Sequence, residues 1–466
     1  MDFHEELRRF RERTTNTNSF RALIILGSGQ ETTAALLMGT LQLEHVAFLL
    51  TESTGDLPQR VAKALEGFSD LPPLATQPQQ WLCPKGDHSA PLQVYEGVKQ
   101  VYDVWRSAGI EPSSIAVDVT GGMKPMSVGL EKAAHLLGLT TIYLESEYGP
   151  GPTPGTRRPI SGTQRLVIPP DPYQVFGDLE AAEAKRLYAA HDYDDAQQRF
   201  AKLAKRVPSH PHYALHAQLA MAYSQWDNFN LKEAEDQLGG LIATHRATLT
   251  QEALQRLEDQ VRLLQHIRPL CEDRPPPQER RQETMAPFAK RQMDRLRTLP
   301  VATALLVVLY ANALRRKEQN RLDLASLLLY RCLELMSQQR LAIHGVYTDW
   351  PRNRMVQLEA EFPNLANLRR PTQPWNKIVM GQGYKILQTI GDPLGAGCDL
   401  ERIQTGADSR NQSLTAHGFT FISEEDFYTF KEVVNEVQVI WCEVNNINWK
   451  NYLEAATFLN IDTIVN

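Results

Sequence analysis

Arg410, Asn411 and His417 fall in one short polar stretch, SRNQSLTAHG, Ser409 to Gly418. A permanently charged guanidinium can hold a phosphate and the negative charge that builds on it, and an imidazole titrating near neutrality can carry protons. Together they suit cleavage of RNA with the ribose 2′-hydroxyl as nucleophile, a reaction that requires no metal. Asp408 or Ser409 is expected to cap a helix running through Ala416, with Gly418 just past its end. Seven residues make two helical turns, so Arg410 and His417 should share a face, with Asn411 offset by about 100°. The same residues also suit a structural role, since a histidine near a helix C-terminus interacts favourably with the dipole.

A second stretch with chemical content is DVTGGMKPM, Asp118 to Met126, directly after an apolar run. Thr120, Gly121 and Gly122 should lie where a strand ends and a helix begins. Two glycines let backbone N–H groups approach an anion or a base, and Lys124 adds a mobile positive charge. GSGQETTAALL, Gly27 to Leu37, repeats the arrangement after an earlier strand, with Gly27, Ser28, Gly29, Gln30 and Thr32 as candidates. Neither stretch is a Walker A loop, and GSGQET lacks the third glycine of a dinucleotide fingerprint. The spacing supports a nucleotide or anion site, or simply a tight strand-to-helix turn.

These stretches need strands to carry them. ALIILG (22–27), HVAFLLT (45–51), SIAVDVT (114–120) and TTIYLES (140–146) are nearly continuous apolar runs, the pattern of strands buried on both faces. Helical spacing occupies 31–41, 59–65, 94–108 and 126–137, which predicts an open parallel sheet with helices on both faces. Ligands in such sheets bind beyond the carboxyl ends of the strands, so the two glycine loops should converge on one cleft. Pro and Gly crowd 148–162, QRLVIPPDP adds a last short strand, and the first domain is expected to span 1–172.

The period is helical from there on. Residues 182–204 and 219–243 read as two related helical hairpins, reminiscent of tetratricopeptide units, in a spacer assigned to 173–285 that breaks at Arg274-Pro275-Pro276-Pro277. A third, all-helical segment, 286–466, contains long helices at 321–342 and 427–444, joined in part by a Gly-rich loop, 391–418. His212 and His216, one turn apart in HPHYALH, lack the glutamate of a zinc helix motif and a third ligand; packing or solvation is the expected role.

Asp118-Val119-Thr120-Gly121-Gly122-Met123-Lys124-Pro125-Met126 resembles the D-x-T-G-G-x-K-x-M signature of CARF domains, the CRISPR-associated Rossmann-like sensors. Arg410-Asn411 and His417 resemble the R-x4-6-H motif of HEPN ribonucleases in its R-N-x5-H form, and the helix 321–345 is similar to one that precedes that motif in CARF-HEPN proteins. The order, sensor first and nuclease last, is more specific than either motif. The resemblance implies a homodimeric, cytoplasmic endoribonuclease of type III CRISPR defence, cutting single-stranded RNA without a metal or other cofactor and without a stable complex with the CRISPR effector. It implies activation by cyclic oligoadenylate, the tetra-adenylate favoured over the hexa-adenylate, with Gly27, Ser28, Gly29, Gln30, Thr32, Thr120, Gly121, Gly122, Lys124 and Met126 lining the ligand. Thr51 and Glu52, with Ser53 and Glu145, are further candidates at neighbouring strand ends. Two alternatives stay open: a nucleotide-sensing scaffold that cuts nothing, and a sensor domain that also degrades its own ligand.

Bulk composition sets outer limits. At 466 residues the chain is long enough for two to four domains, and 42% hydrophobic content with a mean hydropathy of -0.37 describes a globular protein. A net charge of -6 argues against a surface that binds nucleic acid everywhere, so any RNA site must be focused. The apolar run 301–310 suits a buried helix rather than a membrane span. MDFHEELRRFRERT has no apolar core and is not a secretory signal. The five cysteines lie far apart with no CxxC pair, which argues against a disulfide frame or a thiolate zinc site.

Overall fold

The computed structural model describes residues 2–14, 20–71, 74, 78–82, 90–151, 156–273, 281–349, 351–369, 374–411, 413 and 418–465. The chain divides into two compact units, Met1–Gln174 and Val175–Asn466. The first is an α/β unit, and the regular elements of the second are all helices among the described residues, apart from isolated bridges.

In the first unit the strands are β1 (Ala22–Leu26), β2 (His45–Leu50), β3 (Gln79–Leu82), β4 (Ile115–Asp118), β5 (Thr140–Glu145), β6 (Tyr148–Pro150), β7 (Arg157–Pro159) and β8 (Arg165–Val167). The main sheet has the order β3-β2-β1-β4-β5-β8. Its first five members are parallel and β8 closes the edge antiparallel to β5, giving the expected parallel-dominated sheet. β3 escaped the sequence reading because Gln79-Gln80 interrupt any apolar run at this edge. β6 and β7 form a separate hairpin within the Pro/Gly-rich stretch.

The helices of this unit are α1 (Phe3–Arg13), α2 (Thr32–Thr40), α3 (Leu57–Ala64), α4 (Ala90–Ser107) and α5 (Lys124–Leu137). Side chains alternate along β1. Leu23 and Ile25 face a core with Leu7 and Phe10 of α1, Leu36 and Leu37 of α2 and Val61 of α3. Ala22, Ile24 and Leu26 face Val94, Val98 and Trp105 of α4 and Leu130 of α5. Both faces are therefore covered, which is why these strands read as unbroken apolar runs. At about 1.5–3 kcal/mol for each large buried side chain, this central strand strongly favours the parallel arrangement.

α6 (Pro172–Phe176) lies at the boundary. The helical unit continues with α7 (Asp178–Ala189), α8 (Tyr193–Arg206), α9 (His212–Asp227), α10 (Leu231–His245), α11 (Gln251–Glu272), α12 (Arg281–Leu296), α13 (Leu299–Glu318) and α14 (Leu322–Ile343). It ends with α15 (Arg352–Glu361), α16 (Met380–Thr389), α17 (Pro393–Gly397), α18 (Leu400–Asn411), α19 (Glu424–Asn445) and α20 (Trp449–Ala456). The two expected hairpins are α7–α8 and α9–α10; the Pro-rich break at 274–277 lies outside the described residues. The expected Gly-rich loop, 391–418, is instead mostly α17 and α18: Gly395 and Gly406 pack so tightly against Gln388 and Phe430 that their missing side chains serve helix packing rather than loop freedom.

α13 explains the apolar run 301–310. Leu306 and Leu309 face the core of α14, α16 and α19, while Ala304, Val307, Val308 and Ala311 face the core of α8 to α11. Its apolar character is that of a wall shared by two cores, with 72% of its most apolar window buried. A buried ion pair ties the same helix to α9: Arg315 Nε donates to Asp227 at 2.7 Å, Arg316 also binds that carboxylate, and the Arg315 guanidinium lies 4.0 Å from the Phe458 ring. His216 is buried with its ring edge-on to Phe200, in a packing role.

Candidate functional sites

The order of the parallel strands reverses direction at β1 and β4, so the loops after them flank the crevice where open α/β sheets hold ligands. Gly121 lies so close to the β1 loop that an added Cβ would stand 3.0 Å from the Leu26 carbonyl and 3.1 Å from Ser28 Cβ. Gly122 has φ +79°, and Gly27 packs against Thr54 and the Leu49 carbonyl. These three glycines thus have a definite structural task, bringing two strand ends together, and only Gly29 faces open space.

Thr120 is held from two sides: its N–H donates to Asp118 Oδ1 at 2.9 Å and its hydroxyl accepts from the Leu144 N–H at 2.7 Å. Asp118 is 1% exposed at the end of β4, and burial pushes its carboxyl up to about 6 against the pull of the Thr120 hydrogen bonds. Lys124 opens α5, is exposed, and sits beside a helix N-terminus with no side-chain cap. Uncapped N–H groups with a lysine among them form a favourable setting for an anion.

A cleft of about 840 Å³ lies in this region, lined by Gln30, Thr32 and Thr120 of the expected set. Residues the sequence reading missed complete it: Glu31 and Thr33 on the α2 side, and Ser146, Tyr148 and Arg158 from β5 to β7. Arg60 of α3, also missed, braces the β1 loop by donating to the Gly29 carbonyl at 3.1 Å and to Glu31 at 2.6 Å. Ser28 spends its hydroxyl on the Gln30 carbonyl, 2.6 Å away, which shapes the loop. The other expected residues, Gly27, Ser28, Gly29, Thr51, Glu52, Gly121, Gly122, Lys124 and Met126, are not among the residues lining this cleft. Met126 is fully buried in the core under α4 and α5, one turn of helix away from the loop. Thr51 is buried with its hydroxyl bonded to Ser53 and Thr54, where it organises the turn containing Glu52; Glu52 itself is exposed and is not among the cleft residues.

At the second site the structure corrects the expected helix. α18 ends at Asn411, so Arg410 is in the last turn of a helix and does not start one. Ser413 instead bridges to Thr420, and the Gly418 N–H donates to the Ser413 carbonyl at 3.1 Å. His417, and with it the expected face shared with Arg410, lies outside the described residues. The Arg410 guanidinium stacks on the Tyr330 ring of α14 at 4.8 Å and donates to Asn411 Oδ1 at 3.3 Å, while its buried Nε has no partner among the described residues. Beyond Gly418, Phe419 and Phe421 are 90% and 74% exposed. Among the described residues no cluster of three His, Cys, Asp or Glu side chains could hold a metal ion.

Comparison with known proteins places relatives on both halves of the helical unit. The family model of the Csm6 6H domain matches residues 176–268, and that of the Csm6 HEPN domain matches residues 297–440. The CRISPR system endoribonuclease Csm6 of Thermus thermophilus is 28% identical over 329 residues, 66% of this chain. The match spans 64% of that relative's own length. The solved structure of Enterococcus italicus Csm6 bound to cyclic hexa-2′-fluoro-hexa-dAMP aligns over 95% of this chain and 99% of its own, with 11% identity and a TM-score of 0.48.

Proposed function

We propose that the chain, matched by family models of the Csm6 6H and HEPN domains, is a Csm6-type homodimeric endoribonuclease of type III CRISPR defence switched on by cyclic oligoadenylate. The observation that carries the reading is Arg410. It lies inside the HEPN segment, partly exposed, with its guanidinium placed on Tyr330 beside Asn411. A partly exposed guanidinium held in place by an aromatic ring can hold a scissile phosphate. In this reading Arg410 and Asn411 hold the phosphate, His417 moves the proton, and the 2′-hydroxyl attacks to leave a 2′,3′-cyclic phosphate on single-stranded RNA, with no metal taking part.

The activator would occupy the crevice after β1 and β4, against Gln30, Thr32, Thr120 and the uncapped start of α5 with Lys124. It can switch the nuclease only by binding the active arrangement more tightly than the inactive one. Cyclic tetra-adenylate is the activator assigned by resemblance, ahead of the hexa-adenylate. Two copies pair through the HEPN half, a reading supported by Phe419 and Phe421 directly after the motif, since large exposed aromatics are favourable only when another surface covers them. The protein acts in the cytoplasm without a stable complex with the CRISPR effector.

The test is cleavage of a fluorescent single-stranded RNA in EDTA against a panel of cyclic oligoadenylates. Wild type should cut with one ring size, and Arg410→Ala and His417→Ala should abolish cutting while binding activator as wild type does. Undiminished cleavage by both variants sinks the assignment and leaves the sensing scaffold as the better reading. Incubation with activator alone, followed for linear products, separates a sensor that degrades its ligand from one that does not.

A further inference from the structure

A cleft of about 880 Å³ in the helical unit begins at Asn411 and Tyr330, the two residues that contact the Arg410 guanidinium. Its charged lining is entirely cationic among the described residues: Arg369, Lys377 and Lys385, with no carboxylate. On a chain of net charge -6 that segregation is a local exception. Coulombic repulsion among three cations is unfavourable unless an anion offsets it.

The three cations are not equally available. Arg369 donates to Glu359 at 3.2 Å, so its charge is largely committed to the fold. Lys377 is 71% exposed and 3.7 Å from Asp349, a loose surface pair of little worth. Lys385 is exposed and forms no ion pair with a described residue. The first turn of α16 also faces the cleft through Met380, Gly381 and Gln382; its N-cap, Val379, supplies no side-chain cap, so backbone N–H groups add to the positive field. Trp375 is buried with its indole N–H bound to Glu359 at 2.6 Å, so its ring is not a platform for base stacking. The cleft is therefore equipped to hold a phosphate backbone, with Gln404 and Asn376 able to meet base edges without demanding one base.

We propose that this cleft is the track for the RNA strand on one side of the scissile bond, with Lys377 and Lys385 pairing to successive phosphates. The proposal rests on the endoribonuclease reading and adds to it a substrate-positioning surface outside the motif. Lys377→Ala/Lys385→Ala is the test variant, since both side chains are exposed and contribute no packing. With a 20-nucleotide RNA its KM should rise about tenfold or more while kcat stays within about twofold, and a four-nucleotide substrate should show neither change. Binding of a 2′-O-methyl 20-mer should lose about 1.4 from its log–log salt slope, at about 0.7 per single-strand phosphate contact. An unchanged KM and salt slope in an active enzyme overturns the track and leaves the nuclease reading intact. An equal loss of kcat on long and short RNA also overturns it, because a positioning surface acts on binding. A wild-type protein that neither binds nor cuts the 20-mer removes the nuclease reading and the track together.

Discussion

Asp118 offers a quantitative test of how the sensor crevice is built. Its carboxyl is 1% exposed, accepts the Thr120 N–H, and has no cation beside it among the described residues; burial moves it from 3.8 to about 6. The folded carboxyl is thus easier to protonate than the unfolded one, so the ionised form costs stability. That cost is absent below about pH 3.8, grows as pH rises toward 6, and is constant above it. The span from 3.8 to about 6 corresponds to roughly 3 kcal/mol. Asp118→Asn keeps an Oδ1 acceptor for Thr120 and cannot ionise. Denaturant unfolding of both proteins at intervals from pH 4 to 8 should show the variant gaining on wild type by about 1–3 kcal/mol between pH 4 and 6.5, then running parallel. Differencing the two curves cancels every other titrating group. A difference that is flat across pH would refute the reasoning, because it would mean the carboxylate is solvated or paired in solution. Activator binding should survive in the variant, since Thr120 keeps its orientation; Asp118→Leu, which removes the acceptor, should weaken it.

Three further outcomes are expected. Gly121→Val forces a side chain into the 3.0 Å gap to the Leu26 carbonyl and should raise the activator concentration for half-activation about tenfold, read from RNA cleavage titrations. His216 is buried with both ring nitrogens unpartnered and burial holds it down to about 4, so its stability contribution is lost as pH falls from 6.5 toward 4; His216→Leu should flatten the acid side of a thermal-unfolding profile by up to about 3 kcal/mol and stabilise the protein at pH 5. Phe419→Ser/Phe421→Ser should shift the protein from dimer to monomer in analytical ultracentrifugation and lower cleavage in proportion, and a dimer that persists unchanged refutes their assigned place in the pairing surface.

Much of the molecule is legible in its residues because the signals are local. Burial of β1 and β4 on both faces leaves unbroken apolar runs at 22–26 and 115–118, and the glycines that follow mark the strand ends. The alternation of strand and helix then dictates a parallel sheet, and with it a crevice after those two strands. β3 was not legible, since a four-residue edge strand beginning with Gln79-Gln80 has no apolar period to show. The 391–418 segment misled for a related reason: Gly395 and Gly406 look like loop residues, yet they are there because Gln388 and Phe430 leave no room for a Cβ.

The site residues divide along the same line. Arg410 with Asn411, and Thr120 with its glycines, were marked by residue type and spacing alone. That α18 stops at Asn411 and turns back through the Ser413–Thr420 bridge was decided by packing, as was the seating of Arg410 on Tyr330, eighty positions earlier in the chain. Met126 shows the same limit in reverse: it belongs to the motif by position, but the helix that the motif starts turns it into the core. Arg60, Arg158, Lys377 and Lys385 carry no motif, and only the fold brings Arg60 against the β1 loop and the other three to their clefts. Local sequence sets backbone conformation and chemical type, whereas the meeting of side chains distant in sequence depends on which apolar faces must be buried together.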